Sequence, residues 1–381
     1  MRKVRNLAIY TVFLLLLGPA LPSSILAQVP SANVTVFATG LNNPRGLKFG
    51  TDGYLYVAEG GAGGTTSTVG LCEQVPAPVG PYTGGFTSRI SKIDAHGNRT
   101  TVADNLPSSE TSAAQGNLVS GVSDIAFIGD EMYALTAGSG CSHGLAHTDN
   151  GIFRVFPDGK WQMVADLSAF QKAHPVANPD LEDFEPDGTW YSMVSVLGEL
   201  VAVEPNHQEI DRINPRTGEI HRIVDMSTLS PIWLGPTSIT DRGDFFVGTL
   251  GKFPIVEGSS SIYRVTPAGH VKSVVTGVTT VLGVAFDREG FLYILENTTG
   301  NLFPTPGTGE VLRATKDGLE EVATGLFLPT AMTFGPDGAL YVSNVGFGPP
   351  PVGLGQIVKI TVPRSSECRK VEGAVVSDLD E

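Results

Sequence analysis

A hairpin motif that recurs along the chain, a second hairpin behind each copy, and a spare strand at the N-terminal end predict an all-β fold. The form they predict is a six-bladed β-propeller of four-stranded blades, closed by the N-terminal strand. The clearest copies of the first hairpin are Pro44 to Glu59, Val281 to Glu296 and Pro329 to Asn344. Each reads as a strand, a tight Asp-Gly or Glu-Gly turn and a second strand, as in Asp52-Gly-Tyr-Leu-Tyr-Val-Ala-Glu59. Weaker copies run over Val122 to Thr136, Tyr191 to Glu204 and Pro236 to Thr249.

The second hairpin of each unit spans Ser88 to Ala103, Gly151 to Ala165, Ile210 to Val224, Ile262 to Val275 and Val311 to Val322. The sixth unit ends at Gln356 to Pro363 with three strands, while Val34-Thr-Val-Phe-Ala-Thr-Gly-Leu41 is unused at the other end. That segment matches fourth strands such as Glu321-Val-Ala-Thr-Gly-Leu326, so it is expected to complete the last blade and remove an open sheet edge. The propeller is therefore expected over residues 28–363. A basic start (Arg2, Lys3, Arg5) and an apolar run Leu7 to Leu17 precede it, a secretory signal over residues 1–27. Its removal takes the formal charge from −14 to −17, since only those three charged residues are lost. Residues 364–381 read as a polar C-terminal tail.

The 381 residues carry 46 Gly and 26 Pro with 41% hydrophobic residues, which is many turns around an ample core. The acidic balance, with no basic stripe after residue 30, excludes nucleic acid and anionic membrane surfaces as partners. No other stretch is long and apolar enough to span a bilayer. Export places the chain outside the cytoplasm, secreted or periplasmic, where disulfides persist. Cys72 and Cys141 fall in equivalent loops of neighbouring blades; a bridge between them and three unpaired thiols both remain open, with Cys368 left over in either case.

Aligned on the turn, one position of each first strand should face the axis: Gly46, Asp124, Ser192, Ser238, Gly283 and Ala331, small except Asp124. The residue ending each second strand should ring the mouth of the channel: Glu59, Thr136, Glu204, Thr249, Glu296 and Asn344. Glu59, Glu204, Glu296 and Asn344 are hard oxygen donors suited to Ca²⁺ or Mg²⁺, with Asn206 and Asn297 nearby. The other outcome is that each accepts hydrogen bonds from loop backbone. In Cys141-Ser-His-Gly-Leu-Ala-His-Thr-Asp149, His143 and His147 are candidate bases, or else solvated loop histidines. The acidic run Asp180 to Asp187 lacks the order of a cation-binding loop and reads as a solvated face. There is no G-x-S-x-G elbow, phosphate-binding loop or H-E-x-x-H.

Asn43-Pro-Arg-Gly-Leu47, Asp52 to Glu59, Leu295-Glu-Asn297 and Pro336-Asp-Gly-Ala-Leu-Tyr-Val-Ser-Asn344 resemble the ScyD/ScyE family over roughly residues 33 to 362. The chain is more distantly similar to NHL-repeat and gluconolactonase-like propellers. The resemblance implies an exported propeller and leaves its ligand open. Gluconolactonase-like propellers carry a cation at the mouth, and virginiamycin-lyase propellers a loop histidine as base. Two functions are therefore expected candidates: a scaffold binding a small molecule, peptide or polysaccharide at its loop-rich face, or a divalent-metal-dependent hydrolase, lactonase or lyase.

Overall fold

The computed structural model describes residues 29–346, 353–363, 368–371 and 373–377; the expected signal segment lies outside them. Six antiparallel sheets follow one another in chain order, each a blade. Their first strands are Pro44–Phe49, Val122–Ile128, Ser192–Val196, Pro236–Arg242, Val281–Phe286 and Ala331–Phe334. Each packs against the first strand of the next blade, and the sixth packs against the first, so the ring is closed.

Closure uses the N-terminal strand Val34–Leu41, paired antiparallel with Gly355–Ile360 in the register Val34 to Ile360 and Leu41 to Gly355. One apolar cluster fills each blade-to-blade interface. Between the sixth and first blades it holds Ala38, Leu41, Leu47, Leu55, Val57, Tyr341 and Ile357. This placement explains why second strands such as Leu55–Glu59, Leu292–Glu296 and Leu340–Asn344 are buried at every position: a blade is a twisted sheet covered on both faces by its two neighbours.

The C-terminal segment does more than trail as a polar tail. Arg369–Val371 adds a fifth strand to the fifth blade, and Val375–Val376 adds one to the fourth. Val371, Ala374 and Val376 pack against the apolar cluster between these blades, an apolar face that its charged neighbours conceal in the composition. Among the described residues, no helix is long and apolar enough to cross a membrane.

Candidate functional site at the propeller mouth

A cavity of about 350 Å³ opens where the first strands begin and the second strands end. Five residues from five blades ring it: Arg45, Ser123, Tyr191, Thr237 and Leu282. Each immediately precedes a position expected to face the axis. The reason is a repeated irregularity in the ladder. In the second blade Val122 pairs with Thr136 and Asp124 with Leu135, leaving Ser123 as an extra residue. Thr237 and Leu282 are extra in the same way, and Arg45 and Gly46 together oppose one residue. A β-bulge re-aims the side chain it carries, and here four of them turn a side chain into the mouth.

The axial positions serve the contacts between blades. Gly46 lies so close to its neighbour that an added Cβ would sit 1.9 Å from Asp124 Oδ1. Asp124 is buried and accepts from Ser192 Oγ at 3.0 Å and from Met193 N at 2.8 Å, tying the second blade to the third. Gly283 faces Leu295 and Met332; Ser238 is buried, and Ala331 half-buried.

The walls come from the insertions. In the first blade the third and fourth strands, Thr83–Ile93 and Arg99–Glu110, run 11 and 12 residues and extend past the blade edge. They carry Tyr82, Leu118 and Val119 to the rim, beside Pro78 and Val79 of the preceding loop. Trp233, Leu250, Phe253 and Pro304 supply a largely apolar stretch of wall. Cys72 and Cys141 are joined by a disulfide, with Cα atoms 6.3 Å apart, which fastens the first blade's long loop to that of the second. Cys368 stays outside it, half-buried, its Sγ 3.4 Å from Arg313 Nη2.

The acidic run turns inward, contrary to its reading as a solvated face. Asp180, Asp183 and Glu185 line the cavity, and Glu185 is only 1% exposed. Glu185 accepts from Tyr82 Oη at 2.9 Å and lies 3.0 Å from His143 Nε2. The other ring nitrogen, Nδ1, donates to the Ser139 carbonyl at 2.6 Å. Burial opposes charge on His143, but Glu185, Asp187 and that carbonyl outweigh it and hold the imidazole above its usual value. Asp187 accepts from Ser142 N and Oγ, both at 2.7 Å, and pairs with Lys172. Two carboxylates are thus buried because residues distant in sequence partner them.

Asp183 differs. Its Oδ2 accepts from Asn206 Nδ2 at 2.9 Å, while buried Oδ1 has no hydrogen-bond partner among the described residues. Burial, then the nearby Glu185 charge, push its carboxyl up to about 7.

The residues ending the second strands are separated from one another. Glu59 accepts from Asn42 N at 2.6 Å and Arg89 Nε at 2.8 Å, and from Ser91 Oγ. Glu204 accepts from Thr189 N, Glu296 from Thr279 N and Asn344 from Phe327 N, at 2.8, 2.8 and 2.7 Å. Each of these four clamps the linker entering its own blade. Thr136 Oγ1 instead accepts from Gly151 N at 3.0 Å and Thr249 Oγ1 from Ser261 N at 3.1 Å, bonds to the third strand. No group of three or more His, Cys, Asp or Glu side chains among the described residues is placed to hold a metal ion. The four expected donors therefore do not fit one shared Ca²⁺ or Mg²⁺: backbone N–H groups of four blades already hold them.

The two histidines also part company. His143 is fully buried in the Glu185 network, whereas His147 is exposed, in a left-handed turn at φ 66°. Asn206 and Asn297 do line the cavity, Asn206 beside Asp183 and Asn297 held by the Pro329 carbonyl.

No family model and no curated protein matches the chain. Among solved structures it is similar to a protein of unknown function from Bacteroides thetaiotaomicron, at 12% identity and TM-score 0.53, over 87% of this chain and 76% of that one. It is similar to a gluconolactonase from Xanthomonas campestris, at 11% identity and TM-score 0.51, over 87% and 89%. It is also similar to a putative oxidoreductase (glucose dehydrogenase) from Thermus thermophilus, at 16% identity and TM-score 0.52, over 86% and 99%. At such identities these likenesses establish one thing, a β-propeller fold shared with gluconolactonase and glucose dehydrogenase propellers.

Proposed function

We propose that the chain is an exported propeller of the ScyD/ScyE type that binds a small molecule in its mouth cavity. One observation carries this reading: four bulged first strands turn side chains into a single apolar-walled cavity of about 350 Å³. The volume suits a small molecule better than a folded partner. The apolar start of the chain supports export, and its motifs support the family.

Ligand-detected NMR with a fragment set tests the reading on wild type and on Leu118→Trp, which fills the cavity from its rim. Fragments whose signals are lost in a folded Leu118→Trp variant support it. A set in which no binder responds to the filling overturns it.

A second reading, hydrolysis of a lactone or other small ester in the same cavity, is favoured by Asp183. A carboxyl that titrates near neutral pH beside a second carboxylate suits general acid–base work. No step is routed through a cation. Turnover of δ-gluconolactone that disappears in Asp183→Asn would establish this reading; equal rates with and without protein remove it.

A further inference from the structure

The ionisable groups that line the mouth cavity are already engaged by the protein. Asp180 and Glu182 share Lys252, at 3.5 and 2.8 Å. Glu185 is held by Tyr82 Oη at 2.9 Å and lies 3.0 Å from His143. Asp183 accepts from Asn206 at 2.9 Å, and Arg45 donates to the Val119 carbonyl beside the Tyr191 ring. A charged ligand would shed its water on entering and meet charges that are committed elsewhere, which is costly. What the cavity has left to offer is apolar surface, from Val79, Leu118, Trp233, Leu250, Phe253 and Leu282.

That surface does not end at the opening. Leu181, Ile232, Val256, Leu302 and Phe303 are between 62% and 76% exposed. Single exposed apolar side chains are ordinary, but these five stand on segments that line the cavity and also touch one another. Leu181 lies between Asp180 and Glu182, Ile232 precedes Trp233, Val256 follows Phe253 by three residues, and Leu302 and Phe303 precede Pro304. The loop over residues 250–256 gathers them. Gly251 N donates to the Leu234 carbonyl at 3.1 Å and Ile255 N to the Leu302 carbonyl at 2.8 Å, while Lys252 pairs with both carboxylates flanking Leu181. Exposed in this way, the five side chains contribute little to the core.

We infer that the site takes an uncharged, elongated apolar molecule, built on an alkyl or isoprenoid chain, whose leading end fills the cavity and whose remaining length lies along the rim of Leu181, Ile232, Val256, Leu302 and Phe303. The inference rests on the reading of this cavity as a ligand site and names the class of ligand it takes. At about 350 Å³ the cavity is at the small end of ligand sites, so a long chain emerges from it, and the rim gives that chain apolar surface to follow. Contact along the rim removes apolar area of both molecules from water. A sugar would leave the rim exposed.

Isothermal titration calorimetry at neutral pH with 1-hexanol, 1-octanol and 1-decanol, each below its solubility limit, tests this beside the charged probes octanoate and octylamine. The proteins are wild type, Leu118→Trp and the double variant Ile232→Ser/Phe303→Ser, whose two changes are on exposed side chains. In wild type the affinity is expected to rise about three- to four-fold per added methylene, with octanol at least about ten-fold tighter than either charged probe. Leu118→Trp is expected to abolish alkanol binding. The double variant is expected to bind hexanol as wild type does and to lose most of the gain from octanol to decanol. Charged probes that bind as tightly as octanol, or a length dependence that survives in the double variant, overturn the inference. Absence of alkanol binding overturns it too, and fragments displaced by Leu118→Trp would then leave the cavity standing as a site for another class of ligand. Co-sedimentation with phosphatidylcholine vesicles, or a dimer in sedimentation, that the double variant loses in the absence of alkanol binding assigns the rim to a lipid surface or to a second copy and likewise overturns it.

Discussion

Replacing Asp183 with asparagine removes a titratable group whose ionisation the fold resists. Its carboxyl moves from an ordinary 3.8 to about 7 on folding, because burial and the Glu185 charge disfavour the ionised form. At about 1.4 kcal/mol per pH unit, that displacement is worth at most ~4 kcal/mol against the folded state. The sign follows from proton binding. Between pH 4 and 7 the unfolded chain has released this proton and the folded chain keeps it, so stability falls as pH rises through that window. Above 7 the loss is complete, and below 4 it is absent. Asp183→Asn keeps the oxygen that accepts from Asn206 and cannot ionise. It is expected to be more stable than wild type at pH 8, by about 1–3 kcal/mol after allowing for an unpaired amide N–H. At pH 4 the two proteins should be closely matched. Urea denaturation at both pH values reads the difference directly. A variant less stable at pH 8, or a difference that does not change with pH, would refute the reasoning, since either would mean Asp183 is ionised and satisfied in the free protein.

Three further outcomes follow from the scaffold. Leu41→Ala, at a fully buried position between the last and first blades, is expected to cost about 2–5 kcal/mol by chemical denaturation; a smaller loss would mean the closing strand contributes little. Cys141→Ser opens a covalent loop with a sequence separation of 69 and is expected to lose roughly 2–4 kcal/mol of unfolding free energy in urea denaturation, with reductant then having no further effect. Glu59→Gln and Glu204→Gln are each expected to destabilise by about 1–3 kcal/mol, and their double mutant by the sum within about 0.5 kcal/mol, because each clamps its own blade. Coupling of more than 1 kcal/mol between them would instead indicate a shared ion.

What was legible in the sequence was what repeats. Asp-Gly turns and the match between Val34–Leu41 and the other fourth strands identify the blades and their closure, since both are local patterns. The equivalence of Glu59, Glu204, Glu296 and Asn344 was legible for the same reason, but their partners were not. A strand end fixes where a carboxylate starts, and only the path of the next linker decides what it meets. The axial register failed to mark the cavity because strict alternation does not run through a bulge: Ser123, Thr237 and Leu282 are extra residues. The sequence held one usable signal, the large Arg45 and Tyr191 next to small axial residues. Glu185 and Asp187 were misread because their partners, Tyr82 and Ser142, stand 103 and 45 residues away.

The division of labour at the mouth bears on how such a ring acquires a ligand. Clamps at the second-strand ends and contacts such as Gly46 against Asp124 fix the shape of the opening through backbone groups and axial side chains. Arg45, Ser123, Tyr191 and Thr237 line the cavity and also donate to the backbone carbonyls of Val119, Leu135, Thr330 and Val281, so the ring is held in place by the frame, which is where preorganised recognition is most economical. Asp183 lines the same cavity from an inserted segment and opposes folding wherever it is ionised. A group that only stabilised the fold would weaken the protein when removed, and one without a role would be neutral. Asp183→Asn is expected to do neither: it strengthens the free protein above pH 7 and leaves it unchanged near pH 4, the mark of a residue that the fold carries at a cost.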